Sequence, residues 1–175
     1  CQPGTYSFAL GATIDECLLC SPGTCQPGDG QIGCNDCDAG SYQPDSGKAS
    51  CIPCTIGKYQ PLTGQTSGCI VCEKGKYQSQ VGQSACEVCS AGTYNALTQQ
   101  TSIAACLNCN PGSYSSAGDD SCTLCAKGAY QKYIGQATCR LCSAGKVTNV
   151  LGSIQCDPCQ LGYYQPTAGE TTCMA

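Results

Sequence analysis

The sequence contains no histidine and no tryptophan, a single phenylalanine (Phe8) and a single methionine (Met174). Without histidine, the commonest general base and the side chain that titrates closest to neutrality are both missing. With one phenylalanine and no tryptophan, a shared apolar core would have to be assembled from scattered Leu, Ile, Val and Tyr. Charge is sparse too: eight basic and twelve acidic residues leave a net charge of −4. The basic residues form no patch, so nucleic-acid binding is not expected. No run approaches the ~20 apolar residues of a membrane span, so this segment is not expected to insert into a membrane. No charged start followed by an apolar stretch marks a signal peptide. No Asn-x-Ser/Thr sequon occurs, which removes conventional N-glycosylation.

What is abundant is cysteine, 21 in 175 residues, a level at which a disulfide scaffold is the default reading. Ordering the backbone costs on the order of 1–2 kcal/mol per residue. Apolar burial from this composition does not offset that cost alone, so crosslinks are expected to carry much of the stability. Crosslinks require an oxidising compartment, and the chain is expected to be secreted or displayed at a cell surface.

The cysteines are periodic. Nine CxxC pairs begin at Cys17, Cys34, Cys51, Cys69, Cys86, Cys106, Cys122, Cys139 and Cys156, spaced 16 to 20 residues apart. Cutting after each spacer gives ten units: 1–19, 20–36, 37–53, 54–71, 72–88, 89–108, 109–124, 125–141, 142–158 and 159–175. A glycine lies three residues after every opening cysteine: Gly4, Gly23, Gly40, Gly57, Gly75, Gly92, Gly112, Gly128, Gly145 and Gly162. Two residues further on comes Tyr6, Tyr42, Tyr59, Tyr77, Tyr94, Tyr114, Tyr130 or Tyr164, with Cys25 and Val147 as the exceptions. A second glycine follows nine or ten residues after the opening cysteine in every unit but the sixth, which is also the longest. The glycines predict two fixed turns per unit at positive φ or close backbone approach. Segments such as Tyr42-Gln43-Pro44 predict short extended stretches, with the proline where no ladder bond is needed. No window is periodic enough for a substantial helix. The fold expected is small and disulfide-rich, mostly coil with short β pairs, arranged as an elongated solenoid of ten repeats. Cys1 reads as the second cysteine of a CxxC, and Cys173-Met174-Ala175 as a CxxC short of its last cysteine. The expectation is a window of a longer array or of a head-to-tail fibre.

Three chemistries compete for the cysteines. CxxC, a dozen or more residues, then CxxC is the ligand spacing of a four-cysteine zinc site. Four such sites would use eight pairs and strand the ninth with Cys1, Cys25 and Cys173, so no metal is expected. Redox catalysis needs one activated pair on a supporting framework; nine equivalent pairs read as structure, and no cofactor or catalytic residue is expected. A ladder joining each opening cysteine to its closing partner uses twenty cysteines without overlapping loops: Cys1–Cys17, Cys20–Cys34, Cys37–Cys51, Cys54–Cys69, Cys72–Cys86, Cys89–Cys106, Cys109–Cys122, Cys125–Cys139, Cys142–Cys156 and Cys159–Cys173. Bridges crossing neighbouring units are the rival pairing, and sequence alone leaves both open. Each ~15-residue loop would contribute roughly 3 kcal/mol on a chain-entropy account. Cys25 is left over. It either bonds within unit two and displaces another thiol, or bridges to another chain or an attached group. A tyrosine stripe can be a ligand platform. One ring per unit at fixed phase is more simply an inter-unit packing element, covering a neighbour's bridge and glycine turn.

The pattern C-x-x-G-x-Y followed by a closing cysteine and CxxC resembles the ephrin-receptor-like cysteine-rich repeat. It is also similar to the one-bridge module that opens tumour-necrosis-factor receptor domains. The resemblance runs through all ten units, with Cys25 and Val147 departing from it. It implies bonded opening and closing cysteines, an extracellular elongated architecture and no enzymatic activity, and it names no partner.

The function expected is structural: a rod segment of an extracellular fibre, appendage or surface stalk, on the order of 150 Å long if each unit adds a bridge and a spacer. Self-association, head to tail or lateral, is expected, and the polar loops Thr98 to Ser102 and Ser113 to Ser116 are candidates for O-linked glycans. The alternative is a ligand-binding receptor ectodomain, which should show an exposed apolar or charged cluster in one or two units; none stands out, and Tyr133 with Ile134 and Val150 with Leu151 come nearest.

Overall fold

The computed structural model describes residues 1–8, 13 and 16–175. Each unit begins with a turn dictated by its first glycine. In unit three the Ser41 N–H donates to the Asp38 carbonyl at 3.0 Å, closing a four-residue turn over Ala39 and Gly40. Gly40 has φ +91°, the conformation required at the third position of a type II turn. The second turn position tolerates proline, and Pro3, Pro22 and Pro111 stand there. Ser or Thr at the fourth position reinforces the turn: the hydroxyls of Thr5, Thr24, Ser41, Thr93 and Ser113 donate to the same carbonyls as their own N–H groups.

The turn releases two extended residues that pair with the unit's CxxC spacer. Unit one pairs β1 (Thr5–Tyr6) with β2 (Leu18–Leu19), and unit three pairs β5 (Ser41–Tyr42) with β6 (Ile52–Pro53), both antiparallel. Nine two-residue pairs of this kind form, and in the tenth unit Tyr164 bridges Met174. A 3-10 turn, Ile103–Ala105, lies inside the longest unit. The fold is thus disulfide-rich and mostly coil, with short β pairs in serial repeats.

Units are joined by backbone rather than by apolar surface, through four recurrent bonds. Between units three and four, Gly40 N–H donates to Gln60 O at 2.7 Å and Gly64 N–H to Cys37 O at 2.8 Å. Cys54 N–H donates to Gly40 O at 2.8 Å and Gln43 N–H to Gln65 O at 2.9 Å. The chain divides into two compact bodies: residues 1–73, 77–87 and 98–102, and residues 74–76, 88–97 and 103–175. The same bonds recur within each; in the second, Gly112 N–H donates to Gln131 O at 2.7 Å and Cys125 N–H to Gly112 O at 2.9 Å.

One contact goes beyond the nearest-neighbour stacking expected of a solenoid. A Cβ on Gly40 would overlap the carbonyl oxygen of Gly82, two units ahead. The same relation links Gly4 to Gly47, Gly23 to Gly64, Gly112 to Gly152 and Gly128 to Gly169. The first glycine therefore serves both a turn and a seat for second-neighbour backbone. That is a tertiary constraint, which no spacing in the sequence reports.

The interior is sulfur and polar. The buried apolar positions are chiefly opening cysteines, Cys20, Cys37, Cys54, Cys72, Cys89, Cys109, Cys125 and Cys142, whereas Leu, Ile and Val lie largely at the surface.

Candidate functional site

The arrangement with chemical content is the ladder of bridges and what covers it. The structure joins Cys1–Cys17, Cys20–Cys34, Cys37–Cys51, Cys54–Cys69, Cys72–Cys86, Cys89–Cys106, Cys109–Cys122, Cys125–Cys139, Cys142–Cys156 and Cys159–Cys173. Each bridge ties the N-terminal end of the glycine turn to the residue before the spacer strand. The ring therefore clamps the hairpin where its two backbone pairs end.

The more deeply covered position is one the sequence does not advertise: the residue after the tyrosine. Ser7, Gln26, Gln43, Gln60, Gln78, Asn95, Ser115, Gln131, Thr148 and Gln165 are all buried. Five of the glutamines share one arrangement. Gln43 Nε2 donates to Ser50 O at 2.8 Å and its Oε1 accepts from Asp45 N–H at 3.1 Å. Gln26, Gln78, Gln131 and Gln165 repeat both bonds with their own loops. The amide thus fills the ring and satisfies the loop's inward-facing backbone, in place of an apolar plug. The signal that could have found it was the amide at a fixed phase six residues after the opening cysteine, in a class of residue otherwise read as exposed.

Tyr6, Tyr42, Tyr59, Tyr94, Tyr114 and Tyr130 are partly buried, Tyr164 is exposed, and Tyr77 alone is buried. The Tyr42 ring lies toward the next unit's closing cysteine: a Cβ on Gly68, next to Cys69, would stand 3.9 Å from Tyr42 Cζ. Tyr130 lines a groove with Leu141, Lys146 and Cys156. The Tyr77 hydroxyl donates to Glu87 Oε2 at 2.7 Å. That bond, with burial and the carboxylate's charge, raises its pKa above the ordinary tyrosine value.

Cys25 stands where those rings stand, and it is the one free cysteine. Its thiol meets no partner inside unit two; Cys51 Sγ of unit three lies 3.1 Å away. The Sγ atoms of Cys25, Cys37 and Cys51 all lie within 4.8 Å of one another. Two of the three are bonded to each other, so the trio offers one thiol rather than a set of thiolate ligands.

Of the loop hydroxyls, Ser113 and Ser115 are buried and donate to Asn110 O and Thr93 O. Thr98 and Thr101 are exposed. Tyr133, Ile134, Val150 and Leu151 are each more than half exposed, and Lys132 Nζ lies 5.7 Å from the Tyr133 ring centroid. The grooves beside Tyr163, Tyr130 and Tyr42 are small, ≈ 250, ≈ 230 and ≈ 180 Å³, below the several hundred Å³ of a typical small-molecule pocket. No helix among the described residues is long and apolar enough to cross a membrane.

The family model described as tyrosine-protein kinase ephrin type A/B receptor-like matches residues 57–106 and 112–155, more than half of the chain. The chain belongs to the ephrin-receptor-like family. No curated protein matches it. The ephrin-receptor-like matches fall on units whose turn, bridge and buried amide or hydroxyl are those just described. Units one to three, outside the matched span, repeat the same turns and bridges. Ten disulfides and an ephrin-receptor-like repeat are features of extracellular proteins.

Proposed function

We propose that the chain is a non-catalytic, covalently braced segment of an extracellular protein, acting as a rod in a fibre, appendage or surface stalk. The observation that carries this reading is the uniformity of the junctions. The same backbone bonds and the same glycine seat recur from unit to unit, and none of the grooves described reaches the size of a ligand pocket. Stiffness then comes from repeated small rings and backbone bonds, which do not depend on a single core. Self-association is part of the reading, and so are O-linked glycans on exposed hydroxyls such as Thr98 and Thr101. Solution scattering of the chain tests it. A maximum dimension on the order of 150 Å supports the rod, and a radius of gyration near ~16 Å, that of a compact globule, overturns it.

The second reading, a ligand-binding receptor ectodomain, is favoured by the exposed Tyr133 and Ile134 beside Lys132. Imaging separates the two. Filaments assembled from the protein support the fibre, and discrete monomers that capture a soluble partner support the receptor.

A further inference from the structure

Tyr42 and Tyr130 lie toward the closing cysteine of the following unit, at Gly68 and Cys69 and at Cys156. Unit two puts a thiol in that seat. Cys25 Sγ is consequently 3.1 Å from Cys51 Sγ of the next unit's bridge, and all three sulfurs of Cys25, Cys37 and Cys51 form one cluster. Cys25 is held there on both sides. Its strand, β3 (Thr24–Cys25), pairs with β4 (Asn35–Asp36), and the neighbouring Gln26 N–H donates to Lys48 O of unit three at 3.2 Å. A free thiol kept beside a disulfide sulfur by backbone bonds has the proximity that thiol–disulfide exchange requires, and a small swing of the Cys25 side chain brings it in line with the Cys51–Cys37 bond.

We propose that Cys25 is an internal exchange nucleophile, so that the joint between units two and three has two covalent forms. The Cys25 thiol loses its proton to solvent and its sulfur forms a bond to Cys51 Sγ. The Cys37–Cys51 bond breaks, and its electron pair leaves with Cys37 Sγ, which takes up a proton. One disulfide and one thiol stand on each side of the step, so no oxidant or reductant is consumed. The product trades the ring inside unit three for a tie between units two and three. Cys37 is 1% exposed, so the thiol released there is shielded from other reactants, and return attack on Cys51 is its open route. The device is confined to this joint, since each other aromatic seat holds tyrosine or Val147.

Non-reducing peptide mapping of the full chain tests this. The folded protein is held at about neutral pH, quenched with acid, and tagged with N-ethylmaleimide in acidic denaturant to stop further exchange. The expected result is a Cys25–Cys51 peptide beside the Cys37–Cys51 peptide, with tag on Cys37 as well as on Cys25. Both new signals are expected to vanish in Cys25→Tyr. Tag on Cys25 alone, or a Cys25 bridge to a second chain or to a small thiol, overturns the proposal. Cys37→Ser gives an independent reading. With oxidised glutathione supplied as the two-electron oxidant, formation of Cys25–Cys51 with no taggable thiol supports the exchange geometry, and two taggable thiols in a folded variant overturn it.

Discussion

The side-chain amide of Gln43 donates to the Ser50 carbonyl oxygen, 2.8 Å away across the ring closed by Cys37 and Cys51. With its Oε1 accepting from Asp45 N–H, one side chain satisfies both walls of the loop while only 2% exposed. The core of each glutamine-bearing unit is therefore a hydrogen-bonded amide beside a disulfide.

Truncating that amide leaves Ser50 O and Asp45 N–H without their partner. Gln43→Ala is expected to cost about 1–3 kcal/mol locally. Hydrogen exchange at Asp45 is the measurement, and it should accelerate correspondingly. Gln43→Glu should cost more than Gln43→Ala, because an ionised carboxylate cannot donate to Ser50 O and would be buried unpaired.

Gly40→Ala separates the two roles of the first glycine. Its φ of +91° penalises any side chain, by roughly 1–2 kcal/mol. Overlap with Gly82 O adds a steric cost that backbone must move to relieve. Gly162→Ala carries the φ penalty at +86° but meets nothing. Denaturant midpoints should therefore fall clearly further for Gly40→Ala than for Gly162→Ala. Equal losses would remove the second-neighbour seat from the account.

Gln99 occupies the second-glycine position of unit six. Its N–H donates to Cys72 O at 2.7 Å, as Gly82 N–H does to Cys54 O, and its φ is +58°. Gln99→Gly should relieve left-handed strain and stabilise by about 0.5–1 kcal/mol, less than the full 1–2 kcal/mol because glycine enlarges the unfolded ensemble. Thermal or denaturant unfolding of the pair of proteins checks the sign.

Tyr77 should titrate above the ordinary tyrosine range, since its neutral hydroxyl donates to Glu87 and its phenolate would both lose that bond and face a carboxylate. The folded state then holds a proton that the unfolded state releases. Stability from this pair is complete below the unfolded pKa and is lost as pH rises through the folded one. Carbon-detected NMR of the tyrosine rings should report the raised value, and Glu87→Gln should bring it down.

The sequence by itself determined the local geometry: the period of the units, two turns per unit, short pairs in place of helices, and the membership of Cys25 in the tyrosine register. These follow from residue types whose backbone preference is local, glycine at positive φ above all, and from a composition too poor in large apolar side chains to build one core. Tertiary structure alone decided what each seat touches. The amide after the tyrosine looked like a surface residue, because polarity reports burial only when its bonding partners are known, and Ser50 becomes the partner of Gln43 only once the ring has closed. Gly40 looked like a turn residue, because the carbonyl of Gly82 reaches it only when units three to five are stacked. Cys25 was visible as an odd cysteine, but that its neighbour is a bridge in the next unit depends on how one repeat is laid against another, and backbone hydrogen bonds between units settle that.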